Sequence, residues 1–79
     1  ATWGGPCRRV GPIMHQMAIY HTDILFIKVD TDDHEDIAAE YGTQAIPTTF
    51  FFKNGAKADE VIGAEYVSTF EKKIQEVSA

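Results

Sequence analysis

The sequence predicts one α/β domain over residues 1–79, in the order αβαββα, with a mixed sheet covered by helices. Three observations predict it. Apolar residues recur at helical spacing near both ends of the chain. The run Ile24-Leu25-Phe26-Ile27-Lys28-Val29 is nearly continuous in apolar, β-branched and aromatic residues, which reads as a strand buried on both faces. Asn54-Gly55 separates two further strand-like stretches, and both residue types tolerate the positive φ of a tight hairpin turn.

The first helix is predicted to start near Gly5 or Pro6, because proline is pre-organised for a first helical turn and its missing N–H leaves no helical bond unmade. Val10, Ile13, Met14 and Met17 then fall at i, i+3, i+4 and i+7 and form one buried stripe. Pro12 predicts a kink, since it removes one backbone hydrogen bond and crowds the preceding turn. Tyr20-His21-Thr22-Asp23 is a connection to the apolar strand. Thr31-Asp32-Asp33-His34-Glu35-Asp36 supplies N-cap candidates and a negative first turn for a short second helix. Ile37, Ala38 and Tyr41 share one face of it, and Gly42 suits its C-terminal cap. A strand from Thr48 to Lys53, the Asn54-Gly55 turn and a return strand over about Lys57 to Ile62 follow. Val67, Phe70, Ile74 and Val77 line one side of a last helix.

Composition narrows the function classes. A hydrophobic content of 44% over 79 residues makes one small core, near the lower limit at which a core alone stabilises a domain. The formal charge of −5 and the lack of a Lys/Arg cluster argue against a nucleic-acid or anionic-membrane surface. No stretch approaches the roughly 20 apolar residues of a membrane-spanning helix, and the first residues lack the pattern of a signal peptide. Cys7 is the only cysteine, so no disulfide forms within the chain; a reducing, cytoplasmic setting is the expectation. The acidic run Asp30 to Asp36 fails the calcium-loop test, because counting from Asp30 puts Glu35 and Tyr41 where glycine and glutamate are needed. His15, His21 and Cys7 lack the paired short spacing of a zinc site. No metal and no cofactor is expected.

Cys7 is the residue with chemistry to offer. The first turn of a helix presents unpaired N–H groups and the positive end of the macrodipole, which stabilises a thiolate. The plainer reading is a small buried hydrophobe.

Taken in order, the motifs resemble the thioredoxin family across essentially the whole chain. Trp3-Gly4-Gly5-Pro6-Cys7 stands where that family has Trp-Cys-Gly-Pro-Cys, and Pro12 stands at its kinking proline. Val29-Asp30-Thr31-Asp32-Asp33 resembles its acidic strand end. Ile46-Pro47-Thr48 and Phe50-Phe51-Phe52-Lys53-Asn54-Gly55 resemble its cis-proline loop and hairpin, and Gly63-Ala64 the small residues after the last strand. The resemblance implies protein-disulfide reduction, with protein or peptide disulfides as substrates and a reductase as partner. It implies that Cys7 is the resolving thiol, and that Trp3, Gly5, Pro6, Ile46, Pro47, Gly63 and Ala64 contact an extended peptide substrate.

Two departures qualify it. Gly4 occupies the position of the family's nucleophilic cysteine, the thiolate that attacks a substrate disulfide, and glycine has no nucleophile. The chain is therefore expected to be an inactive thioredoxin scaffold; the alternative is a natural redox-inactive module that binds extended peptides. The family also carries a strand, a helix and a strand before the Trp motif, so the resemblance implies a fold truncated at its N-terminus. By the family's strand order, Ile24–Val29 pairs with the two strands that are missing. The expectation is that this segment is not a stable monomer by itself, and that a preceding stretch or a swapped second copy fills the gap.

Overall fold

A computed structural model describes residues 5–30, 32–42 and 47–79. Helix α1 spans Gly5–Tyr20, α2 Glu35–Glu40 and α3 Val67–Ser78, while strands β1, Thr48–Lys53, and β2, Ala56–Ile62, lie between α2 and α3. Asn54 and Gly55 take φ of 55° and 81°, so the turn has the left-handed backbone that matches strand twist in a two-residue hairpin. The hairpin is antiparallel, with Thr48 opposite Ile62 and Phe51 opposite Asp59. A bulge follows, because Phe52 faces Lys57 and Ala58 is left over.

The core joins three elements. Val10 and Met17 of α1, Val61 of β2, and Phe70 and Ile74 of α3 are buried together, with Ile13, Met14, Ile24, Phe26, Phe51 and Ala64 packed around them. The predicted stripe of α1 is thus the face that packs, and the helix continues through Pro12 without a break. On α3, Phe70 is fully buried and Ile74 nearly so, but Val67 is 47% exposed. Val67 is the first residue of the helix. The acids Glu35 and Asp36 do occupy the first turn of α2. Its N-cap is His34, which makes no side-chain cap bond; Asp30 instead closes the preceding turn, its carbonyl accepting from the N–H groups of Asp33 and His34. Gly42 takes φ of 63° just past the helix, as a C-terminal cap requires.

The strand expected at Ile24–Val29 is corrected. Among the described residues the sheet has two strands, β1 and β2, and is antiparallel rather than mixed. Residues 25–30 join no ladder. Ile24 and Phe26 pack against the core, whereas Leu25 is 83% and Ile27 75% exposed. The alternation is that of a strand with one face covered, not two. Strand structure needs a neighbour to take its N–H and C=O groups, and no described segment lies alongside to do so. Lys28, awkward inside a doubly buried strand, is accordingly exposed.

Candidate functional site

Cys7 lies in the first turn of α1, partly buried, with a free thiol. It lines an open apolar cleft of about 1180 Å³. Val10, Met14 and Met17 of α1, residues 24–29, β1, and Phe70 and Ile74 of α3 line the same cleft. Apolar surface and a thiol therefore share one concavity. A chemical group entering it would meet aliphatic and aromatic side chains with few charges.

The second part of the site comes from two loops. Gly63 follows β2 with φ of 94°, a backbone state open to glycine and strained for other residues. Its N–H donates to the Pro47 carbonyl at 2.8 Å. This bond ties the start of β1 to the end of β2 just beyond the Thr48–Ile62 pair, so Pro47 and Gly63 are brought together although 16 positions separate them in sequence. Ala64, the next residue, packs on the core. Gly5 is exposed at the start of α1. Trp3, Gly4 and Ile46 fall outside the described residues, as does the Ile46–Pro47 peptide expected to be cis. Of Pro6, the backbone is helical.

Two interactions went unread in the sequence. His21, at the end of α1, shares its Nε2 hydrogen bond between both carboxylate oxygens of Glu71 on α3, at 2.9 and 3.0 Å. Fifty positions apart, these residues carry no local signal. Lys73 of α3 donates to Asp59 of β2 at 2.8 Å. That hydrogen bond holds the Asp59 carboxyl below its ordinary range, helped by the Glu60 N–H, and raises the Lys73 ammonium above its own. Both contacts fasten α3 and leave Cys7 untouched. A third cluster sets the Tyr41 ring tilted at 41° to Phe50 and edge-on to Phe52, with centroids 5.3 and 5.7 Å apart, and places the Lys57 ammonium 4.7 Å from the Phe50 ring centroid. No group of three or more metal-ligating side chains exists among the described residues.

A helix with a cysteine in its first turn, followed along the chain by a hairpin whose two ends are tied through Pro47 and Gly63, is the arrangement of the thioredoxin-like class of folds. The thioredoxin family model matches residues 1–76, and the chain belongs to the thioredoxin family. It is 49% identical over 72 residues to a thioredoxin of Porphyra purpurea, covering 90% of this chain and 67% of that protein. It is 47% identical over 64 residues to thioredoxin-1 of Schizosaccharomyces pombe, covering 81% of this chain and 62% of that one. Among solved structures, the thioredoxin NaTrxh from Nicotiana alata superposes with a TM-score of 0.91 at 40% identity, over 98% of this chain and 66% of its own. The chain thus spans about two thirds of the length of the relatives it matches.

Proposed function

We propose that the chain is the scaffold of a protein-disulfide reductase whose reaction has lost its first atom. The observation that carries this is the sequence Trp3-Gly4-Gly5-Pro6-Cys7, in which the resemblance makes Cys7 the resolving thiol and puts Gly4 where the family has the attacking one. In the complete reaction a thiolate at position 4 attacks one sulfur of the substrate disulfide, breaking the S–S bond and expelling the other sulfur as a thiolate, which takes a proton. The Cys7 thiolate then attacks the sulfur at position 4. The second substrate thiol leaves, a disulfide joins positions 4 and 7, and two electrons have passed to the substrate; a reductase returns them. With Gly4 the mixed disulfide never forms, so Cys7 has nothing to resolve. Trp3, Ile46-Pro47 and Gly63-Ala64 would hold the peptide in an extended form, by backbone pairing of the strand-addition kind. A reducing, cytoplasmic setting fits a lone free thiol.

The test is Gly4→Cys, assayed for reduction of a protein disulfide with a dithiol donor. Turnover that the parent chain lacks supports the reading. A folded variant that stays silent refutes it and favours the peptide-binding module, which needs no thiol chemistry.

We further propose that the open edge of residues 25–29 is filled by a neighbouring strand, supplied by a preceding stretch of the protein or by a swapped second copy of the chain. Residues 25–29 make no backbone hydrogen bond with any described residue, and they carry the exposed Leu25 and Ile27. Such an edge recruits a second strand, which a second copy can supply. Light scattering that finds a cooperative, fully folded 79-residue monomer would exclude this.

A further inference from the structure

Asn54 is the only asparagine in the chain, and Gly55 follows it directly. An Asn-Gly pair carries its own reaction, one source of the heat sensitivity of asparagine. The Gly55 backbone nitrogen attacks Cγ of the Asn54 carboxamide. A C–N bond forms, the bond from Cγ to the side-chain nitrogen breaks, and ammonia leaves with the proton of the Gly55 amide. Water then opens the resulting five-membered imide at either carbonyl. One product is Asp; the other is isoAsp, whose main chain runs through the side-chain carbons and is one atom longer. Glycine favours the attack because no Cβ crowds its nitrogen.

The fold decides when that attack is possible. The φ values of 55° at Asn54 and 81° at Gly55 are those of a type I′ turn, in which the first central residue has ψ of about +30°. For an L-residue this ψ sets the Gly55 nitrogen nearly trans to Cβ across the Cα–C bond, whereas the imide ring needs the two eclipsed. The closed turn therefore holds nucleophile and carboxamide apart. The Gly55 N–H itself makes no hydrogen bond with any described residue, so torsion alone restrains it. The tip is also the part of the hairpin most ready to open. Residues 52–58 are all exposed. Beyond the bulge after Phe51, only Phe52 with Lys57 and Lys53 with Ala56 remain paired. The side-chain ties there, Lys53 to the Ala79 carbonyl at 2.8 Å and Lys57 to Glu60 at 2.7 Å, are exposed. Few buried contacts and exposed backbone bonds mark a segment that opens without global unfolding.

We infer that Asn54 is a deamidation site gated by the hairpin: the closed turn protects it, opening of the tip beyond the bulge releases it, and isoAsp then bars the turn from re-forming. Asp at position 54 keeps the turn, because Asp shares the tolerance of Asn for the left-handed backbone. The longer main chain of isoAsp cannot, since it displaces Lys53 from Ala56 in a register that the two-residue turn sets. The hairpin so damaged is the one whose other end carries the bond between Gly63 and Pro47.

The experiment incubates the chain at mildly alkaline pH, with and without guanidinium chloride, and follows the exchange of ammonia for water by mass spectrometry. Peptide mapping separates the Asp and isoAsp forms. Above the unfolding transition the reaction is expected to run faster than in the folded chain by at least about tenfold, as protection by a closed turn requires. Below the transition the folded rate should be nearly flat in denaturant, because opening the tip exposes little surface. Equal rates in the folded and unfolded chains overturn the inference. So does a folded rate that climbs with the full slope of global unfolding, or a folded chain that never reacts while the unfolded one does. Asn54→Gln should abolish the product; a mass gain that persists in it places the reaction elsewhere and overturns the assignment. Asn54→Asp should keep the denaturation midpoint of the parent, whereas the isoAsp form, isolated by chromatography, should unfold at lower denaturant. A common midpoint for all three overturns the claim that isoAsp breaks the turn.

Discussion

Phe70→Ala is the most informative single change for the fold. Phe70 is 0% exposed and sits among Val10 and Met17 of α1, Val61 of β2 and Ile74 of its own helix, so its ring is shared by the three elements that make the core. Truncation removes the transfer free energy of a buried ring and leaves a cavity that its neighbours fill only in part, costing roughly 3–5 kcal/mol. A folded domain of this size holds roughly 4–12 kcal/mol in total, so the variant loses between a quarter and all of it. Val67→Ala is the control on the same helix; at 47% exposure it should cost less than about 1 kcal/mol. Urea titrations followed by circular dichroism, at one chain concentration, measure both. If Phe70→Ala costs under about 1 kcal/mol, or no more than the control, the core is not where it has been placed here.

The Asp59–Lys73 pair makes the stability depend on pH at both ends of the scale. The folded Asp59 carboxyl is lowered, so its contribution is full above the ordinary carboxylate range and vanishes as pH falls through the lowered value. The folded Lys73 ammonium is raised, so its contribution is full below the ordinary lysine range and vanishes as pH rises through the raised value. The stability difference between the parent and Lys73→Met should therefore be level from about pH 5 to about pH 9 and close toward both extremes; a difference that varies through neutrality contradicts this. For His21 and Glu71, a double-mutant cycle of His21→Ala with Glu71→Gln should give a coupling of roughly 0.5–1.5 kcal/mol, modest because both side chains are partly exposed. Additive single effects would mean that the contact does not join α1 to α3.

The helices and the hairpin were legible because their causes are local. The i, i+3, i+4, i+7 spacing of Val10, Ile13, Met14 and Met17 identified the face of α1 that packs, and Asn54-Gly55 located the turn within a residue, since only a few residue types tolerate its backbone. The bulge at Ala58 was not legible. It reflects a mismatch between two strands, and neither strand carries it alone. The site was legible only in part. Cys7 at a helix start follows from Gly5-Pro6-Cys7, but the bond from Gly63 to Pro47 needs both ends of the hairpin to be formed first.

Ile24 to Val29 divides the two kinds of information most sharply. Its residue types specify an extended apolar segment, and the alternating burial of Ile24 and Phe26 against Leu25 and Ile27 agrees. Whether it is a strand depends on what lies beside it, because ladder hydrogen bonds belong to pairs of segments. By itself, the sequence determined the helices, the turn, the family and the absence of a nucleophile at Gly4, all properties of residue type and spacing. The tertiary structure decided which apolar faces are covered, which charges are paired and which loops meet, because burial and pairing exist only between parts of the chain that folding brings together.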